Sequence, residues 1–417
     1  MNGDVRPAST VLFVESGETG GGSFESLYQH LRIIDRSRFR PVVVCLNDLP
    51  SIIHIRDLGI PVHVLTDPLF SRHASIKRKW LLRKLRRGVI RINRIAPWLL
   101  PRVLQFIHRP TIAALRNLAR AEHATLIHLN INPFRDFFGV IAAQQAGIPC
   151  VSHLRSADPI AKGQFNSLMV RYTNAVVQAY IANSEMTRDY WLEVGLSSDK
   201  MNVVLNGIEG TTIERADVRQ RWGLQPDAVV VGVVTPLRSS LKIDEFTIKA
   251  FAKYLTHNPQ AVLLIVGDGP MREILTQEAA RLGISEKVIL AGFQSDAKQI
   301  LAGMDASLIL NNHDSFSRVA IESLQVGTPL VATDIGGIRE IIENWSNGLL
   351  VPYGDEAAVV EALDRIHGDD ELRDRLIANG RRSVREGLNV ERYAAEVAAI
   401  YATSTETRVH PVGNQSK

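Results

Sequence analysis

Two cysteines in 417 residues are too few for a disulfide framework or a Cys-based metal site. Cys45 and Cys150 each lie in a short apolar run of the kind that forms a buried strand, so both read as inert core thiols. Long apolar runs are missing as well. A stretch such as Val229 to Val234 falls far short of the roughly 20 residues a membrane-spanning helix needs, and Asp4, Arg6 and Glu15 interrupt any signal-peptide core. These absences predict a cytoplasmic protein. Short-period repeats, low-complexity tracts and coiled-coil heptads are also lacking. One absence is local: no acidic residue occurs between Asp67 and Glu122, where Lys and Arg number 14. The rest of the chain carries 34 basic and 44 acidic residues, a net of −10 hidden beneath an overall +4. What is present is ordinary: 45% apolar and 22% charged residues, 29 Gly and 18 Pro, a composition that excludes a disordered or collagen-like chain.

At roughly 150 residues per domain the length implies two or three domains. Short apolar strands alternate with amphipathic stretches of helical length, the pattern of a parallel sheet with crossover helices, so the fold class is α/β. The first half predicts strands at Thr10 to Glu15, Pro41 to Leu46, Val62 to Leu65, Thr125 to Leu129, Cys150 to Leu154, Tyr180 to Ala182 and Val203 to Leu205. The pattern then restarts, with strands at Val229 to Val234, Val262 to Val266, Val288 to Ala291, Ala306 to Leu310, Leu330 to Thr333 and Leu349 to Val351. Two such series predict two Rossmann-like domains, 1–205 and 206–390, facing each other across a ligand cleft. A C-terminal helix at 391–402 is expected to pack back towards the first domain, followed by a flexible tail at 403–417.

Several motifs could carry chemistry. After the first strand, Ser16-Gly17-Glu18-Thr19-Gly20-Gly21-Gly22-Ser23 opens a helix with Phe24, Leu27 and Leu31 on one face. Gly21 and Gly22 would let backbone amides approach a phosphate, although such a turn serves equally as a tight connection, and it lacks GxGxxG spacing. In the second half, Val266-Gly267-Asp268-Gly269-Pro270 ends one strand and Ala291-Gly292-Phe293 ends another. Then comes His313-Asp314-Ser315-Phe316-Ser317-Arg318-Val319-Ala320-Ile321-Glu322, leading to Gly327-Thr328-Pro329 and Asp334-Ile335-Gly336-Gly337. Ser315 or Ser317 would cap a helix that carries Glu322 about two turns in. Two carboxylates so spaced cannot share one proton or one metal, but they suit two parts of an extended ligand with helix N-terminal amides between them. Taken alone, the pair reads as a solvated face.

In this order the motifs resemble glycosyltransferase family 4, retaining nucleotide-sugar enzymes of GT-B fold, most strongly from Asn206 to Pro352. The resemblance implies that Glu322 holds the ribose hydroxyls of the nucleotide and that Asp314, where the family usually has Glu, meets the sugar. The amides of Phe316, Ser317 and Arg318 would then face sugar and pyrophosphate, with Ser317 replacing a usual Gly. Gly267, Asp268, Gly292 and Phe293 fall on donor-binding loops, and His153 in Val151-Ser152-His153-Leu154 maps beside the transferred sugar; a His at a strand end is otherwise commonly structural. The family's pyrophosphate clamp of Arg and Lys is altered: Lys242 keeps its place, Pro236 stands where the Arg is expected, and Arg238 lies two residues on. Cations are needed there because the departing nucleotide diphosphate gains charge in the transition state, and no metal-ligand cluster is visible in the sequence.

The expected partners are a nucleotide sugar as co-substrate and a saccharide or lipid-linked acceptor on the first domain, with no metal or other cofactor. Within the basic segment 72–109, Leu81, Leu85, Val89 and Ile92 recur at helical spacing, Lys79, Arg83, Arg86, Arg87, Arg91 and Arg94 fill the opposite arc, and Trp80 and Trp98 flank it. That profile suits a helix lying on an anionic membrane surface, or equally a packed helix with a solvated basic face. No recognition module accompanies the charge, so a nucleic-acid partner is not expected. A nucleotide-sugar epimerase and a donor-binding scaffold without activity are the competing readings.

Overall fold

The computed structural model describes residues 8–17, 21–65, 88, 96–157 and 167–406. The chain divides into two compact units, one of Met1–Leu205 with Val390–Lys417, the other of Asn206–Asn389.

The first unit is built on seven parallel strands: β1 (Ser9–Glu15), β2 (Phe39–Cys45), β3 (Val62–Val64), β4 (Ala124–Leu129), β5 (Cys150–Leu154), β6 (Val177–Ala182) and β7 (Met201–Val203). They lie in the order β3-β2-β1-β4-β5-β6-β7. Strands covered on both faces need apolar residues at successive positions, which is why β1 and β2 read as continuous Val, Leu and Phe. Alternation sends Leu12, Val14, Val42 and Val44 to one core, with Leu115, Phe138 and Trp191. It sends Val11, Phe13, Val43 and Val151 to the other, with Leu27 and Leu31 of the helix Gly22–Ile33. That second core is closed by Tyr393, Val397 and Tyr401 of the helix Val390–Glu406. The helix begins one residue before the expected 391 and continues past 402, so 403–406, expected to be flexible, form its last turn with Ser404 buried. Residues 407–417 lie outside the described part of the chain, as do Trp80, Leu81, Leu85, Val89 and Ile92 of the basic stripe.

The second unit has six parallel strands: β8 (Val230–Val234), β9 (Val262–Val266), β10 (Val288–Gly292), β11 (Ala306–Ile309), β12 (Leu330–Thr333) and β13 (Leu349–Val351). Their order is β10-β9-β8-β11-β12-β13. In both units the chain direction across the sheet reverses at one seam, β1 against β4 and β8 against β11, and the carboxyl ends at such a seam leave a crevice for ligands. All thirteen expected strands are present. β6 starts at Val177, ahead of the expected Tyr180, because the helix Ser167–Val176 runs directly into it, and β7 occupies Met201–Val203 where Val203 to Leu205 was expected. Among the described residues no helix is long and apolar enough to cross a membrane.

Candidate active site

In the second unit four loops meet at the carboxyl ends of β8, β9, β10 and β11. The loop after β8 carries Pro236, Arg238 and Lys242, and buried Leu237 anchors it in the core. Backbone bonds stitch it to the loop after β9: the Thr235 amide donates to Val266 O at 3.0 Å, the Leu237 amide to Asp268 O at 3.1 Å, and the Met271 amide to Leu237 O at 2.9 Å. The approach is so close that a Cβ on Gly267 would lie 1.9 Å from Thr235 O, and Gly267 also has φ of +138°. Only glycine fits both conditions. The Gly267 amide in turn donates to Gly292 O at 2.8 Å, which brings the end of β10 alongside. Past Gly292, Phe293 is 80% exposed, an apolar ring offered to solvent at the mouth of the crevice. Asp268 is exposed and accepts from the Gly269 amide at 2.9 Å.

After β11 the chain runs through Asn311 to Asp314 and enters the helix Arg318–Val326. Ser317 is its N-cap, accepting from the Ala320 amide at 3.4 Å, and Gly327 closes it with φ of +81°. The positive end of the helix therefore faces the crevice, with Phe316, Ser317 and Arg318 at its rim. Asp314 is only 2% exposed and both its oxygens are engaged: Oδ1 meets Lys242 Nζ at 2.5 Å and the Phe316 amide at 3.3 Å, and Oδ2 accepts from Asn311 Nδ2 at 2.7 Å. The carboxylate expected to meet the sugar thus already meets Lys242, with acceptor capacity left on Oδ2 beyond the bond from Asn311. One methylene shorter than Glu, the side chain stays against its own backbone. The Gly337 amide donates to Asp314 O at 3.1 Å, and a Cβ on Gly337 would lie 2.1 Å from Ser315 O, so that glycine too is required by contact. Glu322 pairs with Arg318 at 3.3 Å and with Lys298 at 3.7 Å.

Lys242, Asp314, Glu322, the Phe316 to Arg318 turn and the Gly267, Asp268, Gly292 and Phe293 loops thus gather at one end of one sheet. Arg238 is exposed on the same loop as Lys242. The sequence reading missed Asn311, whose signal is a polar Asn-Asn pair directly after an apolar strand. It also missed Lys298, which has no local signal because it reaches Glu322 from a different helix, Ala297–Gly303.

Gly21, Gly22 and His153 belong to the first unit. Gly21 precedes the helix that Gly22 begins, while 18–20 lie outside the described residues. The turn's start is held by buried side chains: Glu15 accepts from the Gly17 amide at 2.6 Å and from Asn130, Ser16 donates to Asp136, and Asn47 donates to Gly17 O at 3.1 Å. Burial pushes the Glu15 carboxyl above its ordinary range against the hydrogen bonds of Asn130 and Gly17. Burial likewise pushes Asp136 up to about 7.

His153 is fully buried, which corrects the expectation of a sugar contact. As an odd-numbered residue of β5 it points with Val151 into the core beneath the helix Val390–Glu406, where its ring stacks between His128 and Tyr393. Its Nδ1 lies 3.0 Å from His128 Nε2, and His128 Nδ1 bonds Tyr401. Desolvation drives both imidazoles well below the usual histidine range. His30 joins them beside Phe13 and Tyr393, pushed down to about 3 by burial.

Comparison with known proteins agrees with this geometry. The family model described as Glycosyl transferases group 1 matches residues 214–383, and that described as Glycosyltransferase Family 4 matches 52–210. Among curated relatives, the N-acetyl-alpha-D-glucosaminyl L-malate synthase of Bacillus anthracis is 26% identical over 294 residues, 69% of this chain and 77% of that protein. The UDP-Gal:alpha-D-GlcNAc-diphosphoundecaprenol alpha-1,3-galactosyltransferase of Escherichia coli is 22% identical over 310 residues, 70% of this chain and 78% of its own length. Among solved structures, Anabaena Alr3699/HepE in complex with UDP superposes with a TM-score of 0.75 at 22% identity, covering 94% of this chain and 100% of that one. Matches to both families along most of the chain, two parallel Rossmann-like sheets and loops gathered at a sheet seam lead to one conclusion: this chain belongs to glycosyltransferase family 4 and is a glycosyltransferase of GT-B type.

Proposed function

We propose that the protein is a retaining glycosyltransferase that moves a sugar from a nucleoside diphosphate sugar to a saccharide or lipid-linked acceptor in cell-surface polysaccharide or glycolipid synthesis. The observation that carries this reading is the set of complementary groups on the second unit: a helix N-terminus and Lys242 for a pyrophosphate, and Glu322 one turn along that helix for ribose hydroxyls. Lys242, assisted by Arg238 in place of the usual Arg, neutralises the departing diphosphate, so the chemistry is read as metal-independent. UDP-sugars are the first donors to try, because the Escherichia coli relative is named for UDP-Gal and Alr3699/HepE was solved with UDP and with UDP-glucose.

A peripheral membrane location is part of the same reading. Trp98 is 61% and Phe106 77% exposed, and Arg102 and Arg109 along the same stretch of chain are exposed too, so aromatic and cationic groups both face solvent at the end of the basic segment 72–109. Product analysis with UDP-, GDP- and ADP-sugars, first alone and then with a bacterial lipid extract, tests the function. Transfer only in the presence of extract supports it. Epimerised donor without acceptor would replace it with an epimerase, and binding without turnover would replace it with a scaffold.

A further inference from the structure

We infer that Lys298 is a positioning residue for the nucleotide: together with Arg318 it holds one oxygen of Glu322 and so leaves the other for the ribose hydroxyls. The inference rests on the proposed function, in which Glu322 meets that ribose. A glutamate side chain is flexible, and the freedom it loses on meeting a ligand counts against binding unless something has already fixed it. Here two cations converge on the same atom. Arg318 Nη2 lies 3.3 Å and Lys298 Nζ 3.7 Å from Glu322 Oε1. Oε2 has no hydrogen-bond or ion-pair partner among the described residues, and an ionised carboxylate oxygen can accept from more than one hydroxyl.

Lys298 comes from outside the helix that carries Glu322. Its own helix, Ala297–Gly303, is secured near both ends. Asp296, just before it, pairs with Arg221 at 2.6 Å, and Leu301 O accepts from Thr328 Oγ1 at 2.7 Å, just beyond the glycine that closes the helix Arg318–Val326. Ile300 and Leu301 are buried in one cluster with Val230 and Leu264. The lysine stem therefore starts from a fixed point. Helix stability does not account for the other cation, because a positive charge in the first turn opposes the helix dipole, and a basic residue four positions before an acidic one is the weaker order for such a pair.

Calorimetry on the full-length protein with UDP, GDP and ADP, each beside its dideoxyribose counterpart, tests the inference. In the wild type the nucleotide with both hydroxyls should bind more tightly, and Glu322→Gln should erase that preference. Lys298 is 32% exposed, so Lys298→Met should fold normally. It should weaken the hydroxyl-bearing nucleotide by about three- to tenfold, leave the dideoxy form unchanged, and add nothing in the Glu322→Gln background. Lys298→Arg, which keeps the charge, should restore wild-type affinity. An equal loss for both nucleotides would mean that Lys298 only supports the fold, and a loss that persists with Glu322→Gln would mean that it touches the ligand itself. Either result overturns the inference, as does full affinity in Lys298→Met, while the ribose reading of Glu322 stands. If Glu322→Gln keeps the hydroxyl preference, or none of the nucleotides binds the wild type, that reading fails and the inference falls with it.

Discussion

Both units place carboxylates at the carboxyl ends of strands beside the seam of a parallel sheet, yet they keep those charges in opposite ways. In the first unit Glu15 and Asp136 are fully buried, hydrogen-bonded to Asn130, Gly17 and Ser16, and their pKa values rise. In the second, Asp314 and Glu322 are matched by Lys242, Arg318 and Lys298. Burial among hydrogen-bond donors raises the two carboxyls of the first unit, whereas those of the second sit beside side chains of opposite charge. The first unit accordingly has titration built into its loop support.

The contrast breaks most severely at the cation. Lys242→Ala should lower turnover by about 10²- to 10³-fold, the range for loss of one preorganised electrostatic group, with Arg238→Ala less severe. Steady-state kinetics with the donor identified by screening check this, and full activity in both variants would remove the clamp from the second unit. Next comes the backbone contact that supports it. Gly267→Ala, with a Cβ forced against Thr235 O at positive φ, should cost about 2 kcal/mol or more in stability, seen as a lower urea midpoint. Glu322→Ala should weaken nucleotide binding by about 10- to 100-fold without unfolding the protein, as read by calorimetry, because a hydrogen bond to a charged group is worth about 1.5–3 kcal/mol.

The smallest effect sharpens the first unit's side. His30, His128 and His153 have folded pKa values below 6.5, so the unfolded chain takes up protons first as the pH falls. Their contribution is complete above about pH 6.5 and is lost below it, towards about 3 for His30. Asp136 works in the other direction: its folded pKa is raised from 3.8 to about 7, so its contribution is present at low pH and lost as the pH climbs through 7. Urea unfolding followed through buried Trp191 should therefore show less acid loss in His30→Leu and less loss between pH 5 and pH 8 in Asp136→Asn. Parallel wild-type and mutant pH curves would show that these groups do not titrate as their burial dictates.

Much of the architecture was legible in the sequence because continuous β-branched and apolar runs on doubly covered strands leave little alternative. The donor loops were legible for a related reason: Gly267 and Gly337 occupy positions where any side chain collides with backbone, so glycine marks them in the sequence. His153 was misplaced, and the enclosure of Asp314 was not foreseen, because motif position does not report side-chain direction. The alternation of β5 turns His153 inward, and one missing methylene keeps Asp314 against Asn311 and Lys242. Lys298 was invisible because its partner Glu322 is distant in sequence and the pairing exists only once the helices Ala297–Gly303 and Arg318–Val326 are assembled.

The helix Val390–Glu406 has a consequence for synthesis. Its Tyr393, Val397 and Tyr401 close a core whose other members, Phe13, Val43, His128 and Val151, leave the ribosome long before it does, with the whole of Asn206–Asn389 translated in between. At about 5–20 residues per second that interval is on the order of 10 to 40 s. The nascent sheet spends this time with an open apolar face, while the second unit, contiguous in sequence, completes its fold first. A chain stopped at Asn389 should then release a finished second unit joined to an adhesive first one, which makes the synthesis of Asn206–Asn389 the interval in which this protein most needs a chaperone.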